Sequence, residues 1–386
     1  MALKLLIVIA FVFLAGAYIP YTIKSGLYGL SLSIKEVLLF TMPFVIFSCL
    51  FSCILSFKDK ALMFMLMLFM AVFASNAIGL YYGYGVGYFG LNFLNISFTK
   101  IECSANQLLP LWDLGIKPFI SNEIALLTGS IGGFIFAVVK SKKVLKFSNF
   151  LNRFISIFLN KCFIPVLPLF ALGYLLKMQH EGVLVIIFKT YGPILLLLIV
   201  ALILYLGLMF LVSSGFKFNK AISYIKNALP AAITGFSTMS GMAALPANLI
   251  GAEKNTNDPD TVRAVIPACT NIHMVGDSVI VPVLAMVILL TFGKELPDFA
   301  HYSIFLGFFL FVKLSIVGVP GGGIIFAIPL LEEHFGFTGE MSALISTIYI
   351  LFDPIDTTAN VLGNNSFSII MSKLFHKRNR KQHQEI

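Results

Sequence analysis

Gly318-Val319-Pro320-Gly321-Gly322-Gly323 divides the apolar stretch 300–331 into two arms, each about half a membrane long. Ser237-Thr238-Met239-Ser240-Gly241 interrupts the stretch 219–250 in the same way. Unpaired backbone polar groups are costly in lipid, so a helix broken at membrane depth must be buried in protein or line a cavity. A pair of Gly/Pro/Ser-interrupted apolar segments is the sequence pointer to the central binding site of a secondary transporter. A kinked spanning helix is the competing reading of each segment.

The rest of the chain agrees with a membrane setting. Of the 386 residues, 58% are hydrophobic and only 12% charged, with a mean hydropathy of +0.93. Soluble domains carry about 25% charged residues, so soluble, secreted and disordered classes fall away. Outward from the two broken segments, apolar runs predict helices at 2–22, 32–57, 61–82, 121–140, 148–176, 183–213, 262–292 and 340–372. The fold class expected is therefore all-α and integral to a membrane, with eight transmembrane helices and two re-entrant helical hairpins. The stretch 83–120, rich in Gly, Tyr and Asn, is expected to be an irregular, partly interfacial connection. Met1 to Pro20 mimics a cleavable signal peptide, but a first spanning helix is favoured because another long apolar segment follows at once.

Charge placement tests the topology. With the N-terminus inside and both broken segments entering and leaving on one side, Lys58, Lys60, Lys140, Lys142, Lys143, Lys146, Lys217 and Lys220 face the cytoplasm, as do Lys377, Arg378, Arg380 and Lys381 of the tail. Glu102, Asp113, Glu181, Glu295, Asp298, Glu332, Glu333 and Glu340 then lie outside. This obeys the positive-inside rule, places both termini in the cytoplasm, and explains the net charge of +9 without nucleic acid. A bacterial inner membrane is the expected location. Cys49, Cys53, Cys103, Cys162 and Cys269 show no metal-ligand spacing and read as small buried hydrophobes.

Acids within a membrane are expensive and commonly functional. Asp277, Asp353 and Asp356 stand at membrane depth. In the last helix Asp353, Asp356, Thr357, Asn360 and Asn364 fall on one narrow stripe, roughly 16 Å long. Such a stripe faces protein or water: a substrate and ion path, or interhelical hydrogen-bonding glue. His273 and Asp277, four residues apart, would share a helix face and could share a proton.

These motifs resemble the dicarboxylate/amino acid:cation symporters, which include the glutamate transporters. Phe236-Ser237-Thr238-Met239-Ser240-Gly241-Met242-Ala243-Ala244-Leu245-Pro246 is similar to the family's first hairpin signature, and Ala252-Glu253-Lys254-Asn255 to the loop that follows. Gly318 to Gly323 resembles the second hairpin tip, and Asn360-Val361-Leu362-Gly363-Asn364 the Asn-Val-x-Gly-Asp signature of the last helix. The resemblance implies a homotrimer working by an elevator movement. Residues 1–82 would form scaffold helices 1–3, the third a candidate to move with the transport domain, and 83–217 the irregular loop with scaffold helices 4–6, the sixth likewise a candidate to move with the transport domain. Residues 218–374 would form the transport domain, with hairpin 1 (219–250), helix 7 (262–292), hairpin 2 (300–331) and helix 8 (340–372), leaving 375–386 as a basic tail. Hairpin 2 would be the outer gate. Substrate contacts fall by resemblance on Ser240, Gly241, Val319, Pro320, Gly321, Asp353, Asp356, Thr357 and Asn360.

The departures from the family pattern bear on mechanism. The helix-seven signature Asn-Met-Asp-Gly-Thr aligns with His273-Met274-Val275-Gly276-Asp277, and Val275 offers no side-chain oxygen where a sodium-binding carboxylate is expected. Asn364 stands where another sodium-binding Asp is expected. The coupling candidates are thus His273, Asp277, Asn360 and Asn364, with sodium candidates Asn360, Asn364, Ser75 and Asn76. Protons, or fewer sodium ions, would drive transport, and no other cofactor is expected. Asp356 occupies the position of the Arg that pairs with acidic substrates, whereas Asp353 matches the Asp that holds the substrate amino group. The expected function is import of a neutral or cationic amino acid by a symporter, not an enzyme; its partners are that small molecule, membrane lipid and two further copies of the chain. The alternative is a sodium-coupled acidic amino acid or dicarboxylate symporter. A non-transporting sensor or an intramembrane aspartyl protease is more remote, since Met274 breaks the protease Gly-x-Gly-Asp motif.

Overall fold

A computed structural model describes residues 2–56, 62–94, 107–117, 119–139, 142–158, 161, 164–182, 184–316 and 321–382. Among these residues every regular element is helical. Among the described residues, three helices contain stretches long and apolar enough to cross a membrane, Tyr21–Ser48, Leu66–Phe93 and Tyr191–Ser214.

The first helices differ in their bounds from the expected runs. Helix α1 (Ala2–Ala15) ends in a short turn at Gly16–Tyr18, and α2 (Tyr21–Ser56) starts directly after Pro20. Proline lacks the N–H that a helix interior needs but fits a helix start. A third helix, α3, spans Leu62–Leu94, so residues 83–94 are helical rather than irregular. The cause is packing: Gly79, Gly83 and Gly87 recur every fourth residue and lie on one face. A Cβ at Gly83 would stand 2.7 Å from the Ser278 carbonyl, and one at Gly87 2.6 Å from the Met286 sulfur. The glycines let α3 approach a neighbouring helix closely, as small residues do between membrane helices.

Next come α4 (Asn122–Val139), α5 (Lys142–Ile157), α6 (Ile164–His180) and α7 (Leu184–Ser214). The single helix expected over 148–176 is therefore two, and Pro165 sits in the first turn of the second.

The broken segments form two packed helix pairs. Helices α8 (Phe218–Thr238) and α9 (Gly241–Glu253) meet at Met239, whose φ of 51° reverses the chain, and Ser240 caps α9 by accepting a hydrogen bond from the Ala243 amide. Helix α10 (Pro259–Cys269) is followed by a non-helical stretch and then α11 (Val275–Thr291). One continuous helix was expected over 262–292; the chain instead unwinds from Thr270 to Met274. Asn76 of α3 replaces the missing helical partners there, donating to the Ile272 carbonyl (2.8 Å) and accepting from the Met274 amide (3.2 Å).

The second pair is α12 (Phe299–Val312), extended by the turn Lys313–Ser315, and α13 (Gly322–Phe335), entered through Gly321 at φ 73°. The last helix, α14 (Gly339–Gln382), packs on α6, α7, α8, α9, α10, α11 and α13. Helix α11 is buried on nearly every face, which marks it as the centre of the fold.

Candidate functional site

Three structural devices bring the site together: the break between α10 and α11, the entry of α13, and the polar stripe of α14. Asp353, Asp356 and Asp277 are all buried, with exposures of 4%, 2% and 1%. Asp277 lies in the first turn of α11, where the positive end of the helix dipole favours an acid.

Tyr349, one helical turn before Asp353, links two of the acids. Its hydroxyl donates to Asp277 Oδ1 and lies 3.3 Å from Asp356 Oδ2. The Asn360 amide donates to Asp356 Oδ2 (2.9 Å) and Asp277 Oδ2 (3.3 Å), while its oxygen accepts from the Gly276 amide at 2.8 Å. Asp353 holds the entry of α13, accepting from the Gly321 amide (3.2 Å), and Thr357 donates to its other oxygen at 3.5 Å. Glycine is required at Gly323, because a Cβ there would collide with Asp277 Oδ1 and the Tyr349 hydroxyl.

These groups surround a cavity of about 40 Å³, lined also by Met239, Gly241, Thr270, Asn271, Met274, Ile316 and Gly322. Among the described residues, Asp356 Oδ1 and Asn271 Oδ1 are buried with no hydrogen-bond partner. Two unpaired acceptors on residues that line one small cavity make a place that calls for donors, because an unpaired buried polar atom is costly.

His273 lies elsewhere. It precedes α11, so it does not share a helix face with Asp277; the spacing of four implies a common face only along an unbroken helix. Its Nδ1 contacts Asn364 Oδ1 and its Nε2 contacts Ser75 Oγ, both at 2.9 Å, and its ring stacks on Phe367. A neutral imidazole satisfies both contacts, donating at Nδ1 and accepting at Nε2. The four sodium candidates are accordingly engaged: Ser75 and Asn364 with His273, Asn76 with backbone, and Asn360 with the acids.

Gly241 lines the cavity, whereas the Ser240 hydroxyl turns away to cap α9. Val319 and Pro320 lie outside the described residues, and Gly321 is placed by its bond to Asp353.

Sequence reasoning missed Tyr349, Asn271 and Lys313. Lys313 is wholly buried, and its ammonium donates to the Met274 carbonyl (2.6 Å) and to the Ser278 hydroxyl. A signal for it existed: it is the one charge in the apolar run from Phe299 to Gly318 apart from His301. Tyr349 shares the α14 stripe, seven residues before Asp356.

Residues 1–374 match the profile of the Sodium:dicarboxylate symporter family. The chain belongs to this family. Relatives include the serine/threonine transporter SstT of Streptococcus thermophilus, 25% identical over 229 residues, covering 54% of this chain and 55% of the relative. The serine/threonine transporter SstT of Acinetobacter baumannii is 26% identical over 151 residues, covering 39% of this chain and 37% of the relative. The chain thus spans about half the length, or less, of these curated relatives in the matched regions. The family consists of symporters and not of enzymes, which removes the protease reading. Family membership and the apolar helices make the chain a multi-pass membrane protein.

Proposed function

We propose that this family member is a secondary active symporter that imports a neutral or cationic amino acid. The observation that carries this reading is Asp356, a buried carboxylate that lines the cavity and has one oxygen without a hydrogen-bond partner. With Asp277 and Asp353 beside it, a substrate bearing a second carboxylate would meet strong repulsion at low dielectric. An amino acid bearing an ammonium and a side-chain hydroxyl brings the donors that Asp356 Oδ1 and Asn271 Oδ1 lack. The named substrates of the SstT relatives, serine and threonine, have that chemistry. The dicarboxylates of the family name do not.

In this reading Asp353 and Asp356 receive the ammonium and hydroxyl, Asn360 and Thr357 position the acids, and the entry of α13 at Gly321 completes the pocket. Coupling uses protons, or fewer sodium ions than a full set of family ligands would bind, with Asp277 and His273 as the titrating candidates. Transport proceeds in a homotrimer in a bacterial inner membrane by an elevator movement of α8 to α14. Thermal unfolding with each of the twenty amino acids tests the substrate: serine, threonine or a cationic amino acid should stabilise the protein, and stabilisation by glutamate or aspartate alone would refute the reading. Counterflow in liposomes with and without a sodium gradient tests the coupling, where strict dependence on several sodium ions is the contrary outcome.

A further inference from the structure

Lys313 has no part in the amino-acid binding just described. It begins the short turn after α12, and its side chain is fully enclosed. Buried lysines are rare unless paired with an acid. Among the described residues no carboxylate lies within ion-pair distance of Lys313, although Asp277 and Asp356 act on its charge across the intervening space. The ammonium rests instead on two neutral oxygens, the Met274 carbonyl at the α10–α11 break and the Ser278 hydroxyl in the first turns of α11. The Phe309 ring lies 6.0 Å away on the side of its own helix.

The Met274 carbonyl also accepts from the Ser278 amide (3.2 Å) and the Ser278 hydroxyl (2.8 Å), so carbonyl and hydroxyl form one compact oxygen pair. A backbone carbonyl at a break in a membrane helix, joined by a hydroxyl, is a ligand set of the kind that holds a hard monovalent cation in transporters. Here that position is filled by a cation attached to the chain. A fixed positive charge also offsets part of the negative charge that three buried acids can carry, a charge that must otherwise be balanced by something bound.

We propose that the Lys313 ammonium is a tethered cation that occupies, on Met274 O and Ser278 Oγ, a place an exchangeable alkali cation would otherwise fill, and that Lys313 thereby sets how many cations this symporter binds. The proposal deepens the symport reading above and rests on it.

The test uses the full chain purified in detergent, without amino acid. Thermal unfolding is followed as sodium chloride replaces choline chloride at constant ionic strength. Lys313→Ser removes the ammonium, supplies a hydroxyl and leaves space for an ion. It should be less stable than wild type in choline and regain stability in sodium, with a sodium-specific rise in Tm about 2 °C or more above that of wild type at about 100 mM. Lys313→Arg, which keeps the charge, should respond to sodium as wild type does. Equal sodium responses in wild type and Lys313→Ser overturn the proposal. Lys313→Met keeps the length of the stem and removes the charge, so it covers the case in which the serine variant fails to fold. It should lose Tm in both salts with no recovery in sodium, and a wild-type Tm in this variant overturns the proposal on its own. Amino-acid specificity does not enter these measurements. Stabilisation by glutamate alone would overturn the substrate reading and leave the sodium comparison standing, whereas equal sodium responses would leave the amino-acid screen standing.

Discussion

Tyr349 stands between two carboxylates with a single proton to give. Its donation to Asp277 Oδ1 and its approach to Asp356 Oδ2 hold the two acids of α11 and α14 in one geometry. Tyr349→Phe leaves Asp277 Oδ1 short of its donor in a closed site, so the variant should lose about 1–3 kcal/mol of stability, read as a lower Tm in detergent. Unchanged stability would mean that the acids do not depend on this hydroxyl. Asp356→Asn keeps the shape but replaces one acceptor of the cavity with a donor. Affinity for the stabilising amino acid should fall at least about tenfold, since hydrogen bonds to charged groups contribute about 1.5–3 kcal/mol; isothermal titration checks this. At this scale the α14 stripe was legible, because a helical period of 3.6 residues makes Asp353, Asp356, Thr357, Asn360 and Asn364 converge whatever surrounds them. The His273–Asp277 pair was misread because the helix between them is broken. Lys313 was overlooked because its partners, the Met274 carbonyl and Ser278, belong to a distant segment that no local pattern reveals.

Helices α3 and α11 meet along a face made by glycine. Composition alone suggests an irregular chain where Gly, Tyr and Asn accumulate, yet the spacing of Gly79, Gly83 and Gly87 is the informative signal, whereas Gly85 meets nothing. The distinction is testable within three residues. Gly83→Ala would drive a Cβ to 2.7–2.9 Å from the backbone of Ser278 and Val279, and overpacking against backbone costs about 1–3 kcal/mol. Gly85→Ala meets nothing within 4 Å and should be neutral or stabilising by up to about 1 kcal/mol, since alanine suits a helix interior better. Thermal unfolding of the two variants should therefore move in opposite directions or differ clearly in size. The break between α10 and α11 was likewise hidden, because the residue that sustains it, Asn76, lies almost two hundred positions earlier.

Two ion pairs join the early helices to the ends of the last ones. Lys35 of α2 reaches Glu332 of α13 at 3.3 Å, and Lys177 of α6 pairs with Glu340 at the start of α14, where Tyr28 also donates at 3.3 Å. Charge patterning placed Glu332 and Glu340 together on one side of the membrane, but it had no means of naming their partners. None of these residues lines the cavity. If α8 to α14 move as a body past α2 and α6, both pairs must separate in each cycle, so they stabilise the arrangement seen here relative to its counterpart. Partly exposed pairs contribute about 0.2–1 kcal/mol each, enough together to shift a two-state balance several-fold. The double variant Lys35→Met, Lys177→Met should therefore change the rate of amino-acid counterflow several-fold while leaving the amino-acid-induced rise in Tm intact. Raising the ionic strength should change the wild-type rate in the same direction and the variant's rate less, because salt screens exposed charges. Unchanged counterflow in the variant would place both pairs on a surface that does not slide, and the moving body would have to be drawn without α13 and the start of α14.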